Sequence, residues 1–109
     1  MTSGYALSVR FTTRDADAAQ RFDALVERTM EGIRAEPGTL VYVSHVPVGE
    51  PLVRVFYELY ADEAAFQAHE GQPHVKQMLK EREQYLSSTE VVFLNEQVGK
   101  RPAGPGVTT

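Results

Sequence analysis

Two stretches that read as strands, residues 40–46 (LVYVSHV) and 52–60 (LVRVFYELY), are apolar on both of their alternating faces. A strand with one wet face shows a polar residue at every second position, whereas a strand apolar on both faces must be covered on both. The five residues between them, Pro47-Val48-Gly49-Glu50-Pro51, suit an antiparallel hairpin. Pairing Val46 with Leu52 puts Leu40, Tyr42, Ser44, Arg54, Phe56, Glu58 and Tyr60 on one face. Val41, Val43, His45, Val53, Val55, Tyr57 and Leu59 then share the other. The few helices in a chain of 109 residues can cover one face. A second copy of the chain is the simplest cover for the other.

The remaining elements fall in order around this hairpin. Residues 5–12 (YALSVRFT) alternate strictly, with Tyr5, Leu7, Val9 and Phe11 on one face, which predicts a strand. Thr13 or Asp15 can cap a helix that runs to about Ala35, with Ala19, Phe22, Leu25, Val26, Met30 and Ile33 at helical spacing. Gly32 is a weak point inside it, costing about 1 kcal/mol against alanine. Pro37-Gly38 ends it, the glycine permitting positive φ. Asp62 caps a helix over 63–70, Gly71-Gln72-Pro73 breaks it, and a further helix runs from Pro73 to about Leu86. Val75, Met78, Leu79, Tyr85 and Leu86 form its apolar stripe, and Lys76, Lys80, Glu81, Arg82 and Glu83 its wet side. Residues 90–98 (EVVFLNEQV) form the last strand, and 99–109 read as a flexible tail without core residues. The order β-α-β-β-α-β is the ferredoxin-like, split βαβ arrangement: an α+β domain over 1–98, with a four-stranded antiparallel sheet and its helices on one face.

Composition removes several function classes. A net charge of −4 and the lack of any basic run argue against nucleic acid or an anionic membrane surface as partner. Without cysteine there is no disulfide, thiolate nucleophile or thiolate-held metal. No apolar run approaches the ~20 residues of a membrane span, and the first residues lack the apolar core of a signal peptide. The expectation is a soluble cytoplasmic protein.

The chemistry must come from few groups. Glu58 is the one carboxylate inside an apolar strand, where burial raises a carboxyl pKa unless a partner intervenes. It can serve as a base or orient a histidine; an ion pair with Arg54 on the same face is the structural alternative. His69 and His74 straddle the Gly71-Gln72-Pro73 break and are natural proton acceptors near neutral pH. His45 falls on the face assigned to the partner copy. No HxH or HxxxH pair, GxSxG elbow or glycine-rich phosphate loop occurs, so no metal site, serine nucleophile or nucleotide is expected. Tyr42, Phe56, Tyr60, Phe66, Tyr85 and Phe93 can line a pocket for a flat aromatic ligand, or simply fill the core.

Four segments at these spacings, Glu36-Pro37-Gly38-Thr39-Leu40, Tyr57-Glu58-Leu59-Tyr60, Asp62-Glu63-Ala64-Ala65-Phe66 with His69, and Gln72-Pro73-His74, resemble the antibiotic biosynthesis monooxygenase family over roughly residues 5–98. The resemblance implies a homodimer packed sheet to sheet as a dimeric α+β barrel. It also implies an oxygenase that needs no cofactor and acts with O2 on a phenol, quinol or polyketide-type aromatic. An isomerase or cyclase on the same fold, or a dimeric binding or stress-response module without catalysis, are the alternatives. Within that family the haem-degrading and anthrone-oxidising branches use tryptophan, which this chain lacks, and the haem branch has a histidine where this chain has Leu79 or a neighbour. Haem degradation is therefore not expected. Glu58, His69 and His74 are the catalytic candidates.

Overall fold

The computed structural model describes residues 4–100. The elements are β1 (Tyr5–Thr13), α1 (Ala16–Arg34), β2 (Thr39–His45), β3 (Val53–Tyr60), α2 (Glu63–Glu70), α3 (Pro73–Glu81), a short 3-10 turn (Arg82–Gln84) and β4 (Leu86–Asn95). One four-stranded antiparallel sheet has the order β2-β3-β1-β4. This is the ferredoxin-like arrangement expected from the sequence. The expected tail from 99 onward falls mostly at 101–109, outside the described residues.

The helix-covered face of the sheet carries the core. Leu7, Val9 and Phe11 of β1 and Phe56 and Tyr60 of β3 pack on Phe22 and Val26 of α1 and on Leu86. The rings of Phe11, Phe22 and Phe56 meet at centroid separations of 5.1–5.9 Å, each pair adding about 0.5–1.5 kcal/mol beyond its area burial. Asp15 and Asp62 start α1 and α2 by accepting from the amides of Ala18 and Ala65, both at 2.8 Å.

Three local expectations are corrected. The hairpin register differs by two residues: His45 pairs with Val55, and Val46 and Leu52 lie outside the strands. The carbonyl of Leu52 is taken by Thr13 of β1, and two turns, Glu50 N–H to Pro47 O and Val53 N–H to Glu50 O, lengthen the loop. An even shift leaves the face assignment intact. The last strand starts at Leu86, not residue 90, because Thr12 and Thr13 of β1 extend the pairing to Ser88 and Leu86 through a bulge. This takes Tyr85 and Leu86 out of the helix. Gly38 is not in a positive-φ conformation; among the described residues only Gly49, at +84°, is. Its service is contact: a Cβ there would lie 2.6 Å from Cβ of Ala65 in α2.

The second face of the sheet is largely open in the single chain. Val43 is 43% exposed, Tyr57 38%, Val92 57% and Leu94 39%. Ala6 and Leu59 are buried there, beside a hollow bordered by Glu96 to Lys100. His45 also lies on this side, exposed, with Nδ1 3.0 Å from the Val55 carbonyl.

Gly32 illustrates how the fold overrides helix propensity. A Cβ there would meet the His74 ring at 2.6–2.8 Å. Gly32→Ala should therefore lower stability by about 1–3 kcal/mol by overpacking, instead of raising it by the ~1 kcal/mol of an ordinary helix position. Urea unfolding of the two proteins measures the sign.

Candidate functional site

Sheet register assembles the site. Tyr42 pairs with Glu58, Glu58 with Leu7, and Leu7 with Phe93, so these four form one row across the covered face. A small cavity of about 110 Å³ lies over that row, roofed by Phe66, His69 and Glu70 of α2, Val75, Met78 and Leu79 of α3, and Arg82. Glu58 and His69 thus line the same cavity.

The ion pair between Glu58 and Arg54 does not form. Arg54 turns toward α1 and binds Asp23 with two parallel bonds of 2.8 and 3.0 Å, and donates to the carbonyls of Pro51 and Val53. Glu58 instead accepts from the hydroxyl of Tyr60 at 2.6 Å. Burial holds the Glu58 carboxyl above its usual range; the Tyr60 bond and the nearby His69 and Arg82 work against that shift, and Glu70 adds to it. Tyr42 is pushed well up, first by burial and then by the Glu58 charge, and Tyr60 is pushed up by the same two causes. Both phenols keep their protons at neutral pH. Tyr42 can donate a hydrogen bond in the cavity, Tyr60 already donates to Glu58, and neither can act as the base.

Behind His69 stands a group absent from the sequence-derived candidates. Glu36, just past the end of α1, is 10% exposed in its side chain and binds both histidines. His69 Nδ1 lies 2.7 Å from its Oε1, Thr39 Oγ1 donates to the same oxygen at 2.6 Å, and His74 Nε2 makes a short bond to Oε2. Burial raises the Glu36 pKa, but the bonds from Thr39, His69 and His74 together outweigh it, and the net shift is downward. An ionised carboxylate only accepts, so His69 Nδ1 must carry a proton. In the neutral ring Nε2 is then the lone-pair atom. His69 is buried at 3% exposure.

The sequence candidates divide by place. Glu58, His69, Tyr42, Phe66 and Phe93 line the cavity. Tyr60 lies beneath it, bonded to Glu58, and Phe56 is packed in the core with Phe11 and Phe22. Tyr85 lines neither hollow near His69; its hydroxyl donates to Glu81 at 3.1 Å. His74 faces a second, open groove of about 760 Å³ on the far side of His69, walled largely by Ala35, Gly38, Ala61, Ala64, Ala65 and Ala68. Glu58 does not reach this groove. Among the described residues no cluster of three or more His, Cys, Asp or Glu side chains could hold a metal, and no helix is long and apolar enough to cross a membrane.

Glu36 and Arg82 were missed for opposite reasons. Glu36 sits in a turn with no periodicity to mark it; Gly32, an unfavourable residue in mid-helix, was the only trace of the close approach beside it. Arg82 is seven residues after Val75 and four after Met78, so its spacing put it on the buried stripe. Its charge alone assigned it to the wet side.

This fold and sequence match a known family. The family model for antibiotic biosynthesis monooxygenase matches residues 5–81, and the chain belongs to that family. No curated protein matches it. A Mycobacterium tuberculosis protein of known structure is similar at 25% identity, with a TM-score of 0.82 over 91% of this chain and 100% of the other. A conserved Methanosarcina mazei protein has the same TM-score at 18% identity, covering 88% and 95%. A Bacteroides thetaiotaomicron protein named as a candidate antibiotic biosynthesis monooxygenase matches at 24% identity and a TM-score of 0.74, covering 97% and 95%. At these identities the last two likenesses show the fold alone.

The raised pKa of Glu58 fixes a pH dependence. Between the ordinary carboxyl value of 4.5 and its raised folded value, the folded protein holds a proton that the unfolded chain releases. Stability from this group is present below 4.5 and is lost as pH rises through the folded value. Glu36 runs the other way: its lowered pKa stabilises above 4.5 and that gain is lost as pH falls through the folded value. Glu58→Gln should therefore raise the melting temperature at pH 7–8 and lose that advantage toward pH 4. Scanning calorimetry across pH checks this.

Proposed function

We propose that this protein is an oxygenase of small aromatic substrates, with His69 as the base that starts the reaction. One observation carries the reading: His69 and Glu58 wall the same cavity, and the Nδ1 bond to Glu36 leaves Nε2 of His69 as the proton acceptor. Family membership supports the reaction class. His69 takes a proton from an acidic O–H or C–H of the substrate. Glu58, held by Tyr60, accepts a hydrogen bond from the substrate when ionised or donates one when protonated. The substrate anion passes one electron to O2, giving superoxide and a substrate radical. The two combine to a peroxide anion, His69 returns its proton to give the hydroperoxide, and loss of water leaves a new carbonyl. One oxygen atom ends in the product and one in water, and all electrons come from the substrate. His74 acts at one remove, through Glu36.

The cavity is well below the ~300 Å³ of the smallest typical ligand pockets. A single-ring phenol or quinol fits this size better than a polycyclic polyketide, which would need Phe66 or Phe93 to swing out. The open apolar sheet face, with Val43, Tyr57, Val92 and Leu94, supports a homodimer packed sheet to sheet. Sedimentation at micromolar concentration should show the dimer, and a monomer would contradict it.

Oxygen uptake by metal-stripped protein over a panel of quinols and anthrones tests the activity. His69→Ala should lower the rate by about 100-fold or more, the range of general-base catalysis, and Glu36→Gln should shift the pH profile of the rate. No uptake with any substrate, or uptake unchanged in the His69→Ala/His74→Ala double variant, sinks the oxygenase reading. Turnover that persists without O2 would instead make the same base that of an isomerase.

A further inference from the structure

Among the described residues, one solvent-shielded side-chain nitrogen has no hydrogen-bond partner: Nε of Arg82. Arg82 lines the Glu58–His69 cavity. Its guanidinium carbon stands 5.0 Å from the centroid of the Phe11 ring. Arg10, Arg21, Arg28 and Arg54 each have a carboxylate partner, but no ion pair among the described residues includes Arg82.

A shielded donor without a partner is destabilising, and more so on a charged group. Stacking over Phe11 offsets part of this, but it gives Nε–H nothing to bind. The titratable walls of the cavity are Tyr42 from β2, Glu58 from β3, and His69 and Glu70 from α2; the walls from β1, α3 and β4 are apolar. Tyr42 is a neutral phenol; burial and Glu70 raise the Glu58 pKa, and the charge of Arg82 works against that shift. Arg82 is a permanent positive charge on a small, largely apolar cavity that also holds the Glu58 and Glu70 carboxylates, and its Nε–H has no partner. A guanidinium edge presents parallel N–H donors suited to an oxyanion.

We propose that Arg82 is the oxyanion-binding residue of this cavity, and that its ligand is a small single-ring aromatic carrying, or acquiring by proton loss, one negatively charged oxygen. This rests on the reading that substrate sits between Glu58 and His69, but not on the use of O2. The base and the anion site then lie on two sides of one space. A proton leaves toward His69 while the charge it leaves behind settles on Arg82.

Benzoate, its neutral analogue benzamide, and 4-nitrophenol are suitable probes. Wild-type protein should bind benzoate on the order of ten-fold or more tighter than benzamide. It should also bind 4-nitrophenol as the coloured phenolate, lowering the dye's apparent pKa. Arg82→Gln should remove both effects, and Arg82→Lys should retain part of each. Circular dichroism reports whether the variants fold; if Arg82→Gln does not, the wild-type benzoate-to-benzamide ratio and Arg82→Lys decide. Equal binding of benzoate and benzamide, no binding of any probe at millimolar concentration, or an unchanged benzoate affinity in folded Arg82→Gln overturns the proposal. Benzoate binding that depends on Arg82, in a protein that consumes no oxygen, keeps this inference and removes the oxygenase reading alone.

Discussion

The carboxylate of Glu36 ties four elements together at one point: it lies past the end of α1, and it bonds Thr39 at the start of β2, His69 near the end of α2 and His74 at the start of α3. Its two oxygens are occupied by three donors, and those bonds outweigh the cost of its burial. Much of the surrounding sequence serves this contact. Gly32 makes room for the His74 ring, and Gly38 lets α2 approach the turn. The break at Gly71-Gln72-Pro73 brings His74 back to the carboxylate that holds His69. A continuous helix would carry the two histidines, five residues apart, to different faces.

Two carboxylates near His69, Glu36 and Glu58, are tuned in opposite directions by their surroundings. Glu36 has donors enough to stay ionised and so fixes which ring nitrogen carries the proton. Glu58 has one hydrogen-bond donor, Tyr60, and burial prevails. Paired groups with environments that push them apart are a recurrent way of assigning acid and base roles. The tyrosines beside them are held as neutral phenols, which leaves His69, Glu58 and Glu70 as the cavity groups able to take a proton. The Asp23 contact with Arg54 is part of the same arrangement: by drawing the arginine four residues before Glu58 in β3 toward α1, it leaves Glu58 without that ion pair.

The element order, both helix caps and the apolar faces of the hairpin were legible in the sequence, because period, capping chemistry and turn residues act locally. Strand and helix ends were less so. The true start of β4 depends on how far β1 extends beside it, which is a long-range pairing. Of the site, Glu58 and His69 were legible as rare polar groups in apolar surroundings. The helical spacing of Arg82 pointed inward as clearly as that of Met78, but a guanidinium on a buried stripe is so costly that its charge was weighed above its position.

By itself the sequence determined the α+β order of elements and the apolar character of both faces of the central strands, and it marked Glu58, His69 and His74 as rare polar groups. Those follow from composition and periodicity, which are properties of neighbours along the chain. Tertiary structure alone decided the partners. Arg54 went to Asp23 and not to Glu58, and His69 and His74 closed on Glu36. Each of these contacts joins residues from separate elements. Their pairing is set by which side chains meet once the helices dock on the sheet, and no local pattern encodes that meeting.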